Sequence, residues 1–314
     1  MSESPSAVAV ATALRLRVDS WTAEVVRAMR ARAIEPVLLK GPVIARRLYS
    51  EQPERRVYCD CDLLVGPDDT ERARALLTEL GFRAQEHPLI EADEHHARIF
   101  LRSDDGANVD LHRTLHGMER VAADRVWAMV GRHLSQMEVG GASVNVTDPV
   151  LTTLNVALHP VPADGPTSKP WQDLELALAR VDDVTWGAAV SLARELGIES
   201  ELSARLQRLA AGAQLAERLM ISPRGSDYYN LVGAVTSGRA PRSVYSISHL
   251  RSRPTHAARL AYVAAKLFPP AEQLRGDHAL ARRGSAGLLL ARALRVLAVI
   301  AGLPRALIAY RRER

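Results

Sequence analysis

Cys59-Asp60-Cys61-Asp62-Leu63-Leu64-Val65 is the stretch on which the fold turns. Val57 to Val65 reads as a strand, and Gly66-Pro67 breaks it. Successive side chains of a strand point to opposite faces. Asp60 and Asp62 therefore share one face, and Cys59 and Cys61 share the other. The cysteines are apolar enough to face a core. The two carboxylates are then forced together, where like charges repel. A divalent cation removes that repulsion. Mg²⁺ suits carboxylate oxygens and keeps positions open for substrate phosphates. The plain alternative is a solvated strand face, but both flanks of the pair are apolar.

Further along, Asp104-Asp105-Gly106 signals a turn between Ala97–Arg102 and Asn108–His112, predicting a hairpin. Asp110 lies in its second strand. Two carboxylates on one strand and a third on a neighbour form a ligand set for two-metal phosphoryl transfer. His112 shares strand parity with Asp110, so it faces either the nucleotide or a packed interior. Upstream, Val37-Leu38-Leu39 reads as a short buried strand, and Val43–Tyr49 as a helix with Pro42 in its first turn. Lys40-Gly41 lies between them, where free N–H groups, the helix dipole and the lysine charge suit a phosphate. A surface lysine at a strand end is the competing reading.

Around this centre, helical spacing over Val8–Ala33 and a capped helix from Asp68 or Asp69 to Leu80 complete a mixed α/β region. A second hairpin is expected over Met137–Val146. After Asp148 helical patterns dominate: Pro149–His159, Trp171–Val181, Trp186–Leu196, Glu201–Met220, Ala257–Phe268 and Ser285–Leu303. Ser222–Pro254 reads as linker, and Gly165-Pro166 as a loop. The expectation is an α+β chain of two domains. A mixed sheet with flanking helices fills residues 1–147, and a mainly helical domain follows over 148–314.

The chain has 314 residues, 47% of them hydrophobic and 25% charged, which excludes a disordered chain. Cys59 and Cys61 cannot form a disulfide framework, and no second pair completes a zinc site. They are expected to be core rather than redox-active. The first residues lack a signal peptide's basic region. A reducing, cytoplasmic setting is therefore expected. Leu288–Leu303 is interrupted by Arg292 and Arg295, so no transmembrane segment is expected.

Lys40-Gly41, Arg56 four residues before Asp60, Asp60-Cys61-Asp62-Leu63-Leu64-Val65 and Val109-Asp110-Leu111-His112 together resemble nucleotidyltransferases of the DNA polymerase β-like superfamily. They are most similar to the branch of uncharacterised bacterial nucleotidyltransferases. Leu158-His159, Trp171-x-Asp173-Leu174 and Leu267-Phe268-Pro269-Pro270 extend the likeness into the helical half. The resemblance implies a polymerase β-like core followed by a helical acceptor domain. It implies Asp60, Asp62 and Asp110 as ligands of Mg²⁺ or Mn²⁺. It implies Lys40, Gly41 and Arg56 as holding an NTP. A nucleotidyl group, AMP among the candidates, would pass to an acceptor with release of pyrophosphate. Members of this branch are often encoded beside peptide-modifying machinery, including that for lasso peptides. Two positions depart from the pattern: Cys61 replaces an aliphatic residue, and Arg113 an aromatic one. A non-catalytic module of the same fold, binding a peptide or protein, is the alternative. His159 and Asp173 are expected to make buried polar contacts between domains, substrate contact being the alternative, and His95-His96 to be exposed.

The net charge of +5 is unevenly spread: −6 over residues 1–240 and +11 over 241–314. The basic segment has three readings. It is solvated surface, it meets an acidic partner, RNA or an anionic membrane, or it helps hold an anionic substrate. Aromatics are only 4% and none is interleaved with the arginines, which makes RNA the weaker expectation among acceptors and partners.

Overall fold

A computed structural model describes residues 7–85, 98–159, 168–222 and 230–312. The last range has gaps at 232–233, 236–237, 242, 254, 270, 272–273 and 276–277. His95, His96 and the Gly165-Pro166 loop lie outside the described residues.

The chain forms two units, one of Met1–Ile90 with Glu94–Gly225 and one of Glu91–Asp93 with Ser226–Arg314. The first unit holds a mixed seven-stranded sheet. Its strands are β1 (Val37–Leu38), β2 (Cys61–Leu64), β3 (Arg83–Ala84), β4 (Arg98–Arg102), β5 (Ala107–His112), β6 (Leu134–Val139) and β7 (Ala142–Thr147). They lie in the order β3-β4-β5-β2-β1-β7-β6. β2 runs parallel to β5 and β1 parallel to β7, while the other neighbours are antiparallel. Both expected hairpins are present, β4–β5 and β6–β7. Gly140 and Gly141, with φ of 55° and 75°, make the tight turn of the second.

Alternation along β2 and β5 sorts the chemistry. Cys61, Leu63, Val109 and Leu111 enter a core shared with α1 (Ala7–Arg30) and α3 (Thr70–Glu79). Leu64 joins the core on the other face, built from α4 (Ala123–Arg132), α5 (Pro149–Leu158), α6 (Lys169–Arg180), α7 (Asp183–Leu196), α8 (Glu199–Leu206) and α9 (Ala210–Arg218). Asp62 has the parity of Leu64 and so points to this helical side. α2 (Pro42–Arg47) contributes to both cores, Val43 and Ala45 to the first, Ile44 and Leu48 to the second.

Several expectations change. The strand expected over Val57–Val65 is regular only over Cys61–Leu64. Asp60 stands just ahead of it, and Cys59 is exposed instead of facing the core, because alternation has not yet begun there. The helix expected over Glu201–Met220 is two helices, α8 and α9. They meet where Gly212 leaves room for the Leu206 carbonyl, which a Cβ would approach to 2.3 Å. The change of texture near residue 147 is real, but α5–α9 share a unit with the sheet, and the division by contacts falls after Gly225.

The second unit contains α10 (Ser243–Ser252), α11 (His256–Leu267) and α12 (Gly284–Arg312). α10 lies in the expected linker. It is helical because Val244, Tyr245 and Ile247 pack on Leu231, Ala306 and Tyr310. α12 is longer than expected and continues through Pro304. Among the described residues it is the helix long and apolar enough to cross a membrane by length and composition, with mean hydropathy 1.9 over an 18-residue window. Arg292 and Arg295 lie within it.

Candidate functional site

The site is built by strand register. β2 and β5 pair so that Asp62 lies level with Asp110, and Leu64 level with His112. Adjacent parallel strands therefore bring two carboxylates and an imidazole to one face. Ligand atoms of Asp62, Asp110 and His112 all lie within 4.8 Å of one another. Asp60 was expected as a metal ligand alongside Asp62 and Asp110. It is outside this trio but near enough to interact electrostatically with Asp62.

Asp62 is the hub. Its Oδ1 accepts a hydrogen bond from Lys40 Nζ at 2.9 Å and lies 2.8 Å from His112 Nε2. Burial works to raise its pKa, but the Lys40 charge and the His112 contact hold it well below the usual carboxylate range. Burial lowers the pKa of His112, and Asp62 opposes that shift. Asp60 is raised by its own burial and by the Asp62 charge.

Asp110 differs. Burial, then the Asp62 and Asp60 charges, push its pKa up to about 7. Its Oδ1 is buried without a hydrogen-bond partner. A buried oxygen with no donor is costly unless something is to bind it. The Asp62 and Asp110 carboxylates are donors for a hard divalent cation, and His112 adds a nitrogen. The residues present could hold a divalent metal ion.

Lys40 lies two residues beyond β1, and Gly41 caps α2 with φ of 52° and ψ of −106°. A Cβ at Gly41 would meet the Tyr58 ring at 3.3 Å, so glycine is required there by the fold itself. Lys40 is largely buried and committed to Asp62. Arg56, expected to reach phosphate, is paired instead with the buried Asp173 of α6. Its Nε lies 2.8 and 3.0 Å from the two carboxylate oxygens. Tyr49 Oη donates to the same carboxylate at 2.9 Å. The buried polar contact expected of Asp173 is thus present, with Arg56 as its partner.

A small cavity opens beside these groups, lined by Lys40, Arg56, Asn155, His159 and Asp173 among others. Two neighbours were missed from sequence. Asn155 is a lone amide in the apolar helix α5, and its Oδ1 is buried without a partner. His116 follows His112 by four residues in an irregular segment. Its ring centroid lies 4.6 Å from that of His159 and 6.4 Å from that of His112. The solitary amide was a visible signal, whereas His116 carried none, because neither strand nor helix period applies there.

No curated protein matches the chain. Among solved structures, the solution structure of the antibiotic-resistance factor ANT(2'')-Ia aligns at a TM-score of 0.39 and 14% identity, covering 59% of this chain and 94% of that one. A family model described as "uncharacterised nucleotidyltransferase" matches residues 6–211. That span contains Lys40, Asp60, Asp62, Asp110, His112 and Asp173, and the chain belongs to this uncharacterised nucleotidyltransferase family.

Proposed function

We propose that this protein is a metal-dependent nucleotidyltransferase. It would pass a nucleotidyl group, AMP in the simplest case, from an NTP to an acceptor. The observation that carries the reading is Asp110 Oδ1, buried and unpartnered beside Asp62 in the trio of Asp62, Asp110 and His112. An acceptor oxygen would attack the α-phosphorus as the bond to the leaving pyrophosphate breaks, and the acceptor's proton would pass to a carboxylate. Asp110 is assigned that base role.

Asp62 and Asp110, with Asp60 beside them, would hold Mg²⁺ or Mn²⁺, which when bound neutralises triphosphate charge and lowers the pKa of the attacking hydroxyl. Lys40 would exchange Asp62 for a phosphate oxygen, with Gly41 next to it. Arg56 would join them only by leaving Asp173. His112 orients Asp62. The helices α5 and α6 would shape the acceptor side, through Asn155 and His159.

For the acceptor we favour a peptide, as in peptide natural-product biosynthesis of the lasso type, over a small molecule or an RNA. The support is the family likeness. A cytoplasmic setting fits such a role.

The test pairs chemistry with binding. Each NTP is incubated with Mg²⁺ and candidate peptides, and the acceptors are weighed by intact-mass analysis. A nucleotidyl mass increment is expected, with pyrophosphate released and both lost in Asp60→Ala with Asp62→Ala. In parallel, Asp62→Asn with Asp110→Asn should weaken Mn²⁺ binding at least tenfold, a rough figure for lost ligands. Activity unchanged in the Ala variant would overturn the assignment. Absence of nucleotidyl transfer from every NTP by the unaltered protein would also overturn it, and would leave a nucleotidyltransferase fold used to bind a peptide or protein.

A further inference from the structure

α12 is 29 residues long and carries no acidic residue. Only 6% of its most apolar window is buried within the structure. Its two sides differ sharply. Ala291, Ala306 and Tyr310 are buried against the rest of the second unit. The arginines inside the apolar run are on that same side by helical spacing. Arg295 donates Nε–H to the Lys266 carbonyl at 2.8 Å, and Arg292 Nε is buried. Over Leu289–Leu303 the outward side carries no charged residue. Leu289, Leu297, Ile300, Leu303, Leu307 and Ile308 all stand exposed along it, Leu289 at 64% and Ile308 at 69%. From the first to the last of these is about 28 Å at the α-helical rise. Exposed Arg282 and Arg283 precede the helix, and exposed Arg305, Arg311 and Arg312 lie towards its other end.

A continuous apolar stripe of this length is too large to be ordinary surface. We propose that α12 lies in the plane of an anionic lipid bilayer, its outward stripe among the acyl chains and its terminal arginines on lipid phosphates. Charge decides the occupant. Two copies packed antiparallel through this stripe would bring Arg282 and Arg283 against Arg311 and Arg312, and parallel packing would align like with like. An anionic headgroup layer attracts both ends. Spanning is disfavoured although the length would permit it. Crossing would strip Ala291, Ala306 and Tyr310 of their contacts and carry Arg292 and Arg295 into hydrocarbon. With Ala291, Ala306 and Tyr310 held by the rest of the second unit, the helix can enter lipid only by its outward stripe. The family match ends at residue 211, so this property belongs to a part of the chain outside it and does not rest on the proposed reaction.

The experiment is vesicle co-sedimentation of the full chain. Vesicles of phosphatidylcholine doped with phosphatidylglycerol are compared with phosphatidylcholine alone, at low and high salt. Binding is expected to be about tenfold stronger to the anionic vesicles at low salt and to narrow at high salt. Leu297→Asp with Ile300→Asp changes only exposed positions and should abolish binding while circular dichroism stays unchanged. Arg311→Ser with Arg312→Ser should reduce the preference for anionic lipid. Three results would overturn the proposal. They are no binding to either vesicle, equal binding by the aspartate variant, and a lipid-free dimer that the aspartate variant turns into monomer.

Discussion

At the scale of single residues, one carboxylate oxygen organises the site. Asp62 Oδ1 meets both Lys40 and His112, while Asp110 Oδ1 meets nothing. Arg56 and Asp173 form the second buried pair, and removing either leaves a desolvated charge. Arg56→Ala should therefore cost about 3 kcal/mol in urea unfolding, because Asp173 keeps only the Tyr49 hydroxyl. Arg56→Met with Asp173→Leu should recover much of that loss, since two apolar groups need no partner. Asp62 and Asp110 were legible in the sequence because strand parity fixes the face of a side chain. Arg56 was legible as a position but not as a contact. Its partner is 117 residues away on a helix, and no local period encodes such a distance.

At the scale of elements, the hairpins were visible from their turns, and their glycines differ in what they tolerate. Gly141 has open space around it, whereas a Cβ on Gly140 would come within 2.2 Å of the Asp19 carbonyl oxygen. Gly141→Ala should cost about 1 kcal/mol for its left-handed backbone, and Gly140→Ala more than about 2 kcal/mol, read by thermal unfolding. Arg102 at the end of β4 binds Glu24 of α1 at 2.6 and 2.9 Å, and Asp105 of the turn at 2.8 and 3.1 Å. The hydrogen bonds from Arg102 hold both carboxylates below their ordinary values of 4.5 and 3.8. Their contribution is thus full above about pH 4.5 and lost as pH falls through the lowered values. Arg102→Gln should flatten the acid limb of the melting temperature against pH without changing the neutral plateau's slope. The sequence was less informative where elements break. The Cys59 end of β2 and the division between α8 and α9 depend on neighbours across the fold.

At the scale of the whole molecule, two units with separate cores carry opposite surface tendencies. The site and the family match lie in the first, and the exposed apolar helix in the second. Separate cores predict unfolding in more than one step, since two-state behaviour belongs to single domains. Ala306→Asp, which puts a charge in the core of Val244, Tyr245 and Tyr310, should lower one calorimetric transition and leave the other in place. A single transition that moves as one would contradict the division. Composition did expose the asymmetry, as an acidic front and a basic tail. The boundary expected near residue 147 came from periodicity instead, and the helices that begin there share a unit with the sheet, the division by contacts falling after Gly225.

The register of β2 against β5 also determines which changes of length the chain can absorb. The loops between the elements that separate Leu64 from Ala107 can lengthen or shorten without parting Asp62 from Asp110, because backbone pairing and not loop geometry unites them. A single residue inserted between Ala107 and Asp110 would be another matter. It would set Val109 beside Asp62 and turn Asp110 out of line. Inherited or engineered insertions should therefore gather in the connection and be absent from the two short strands.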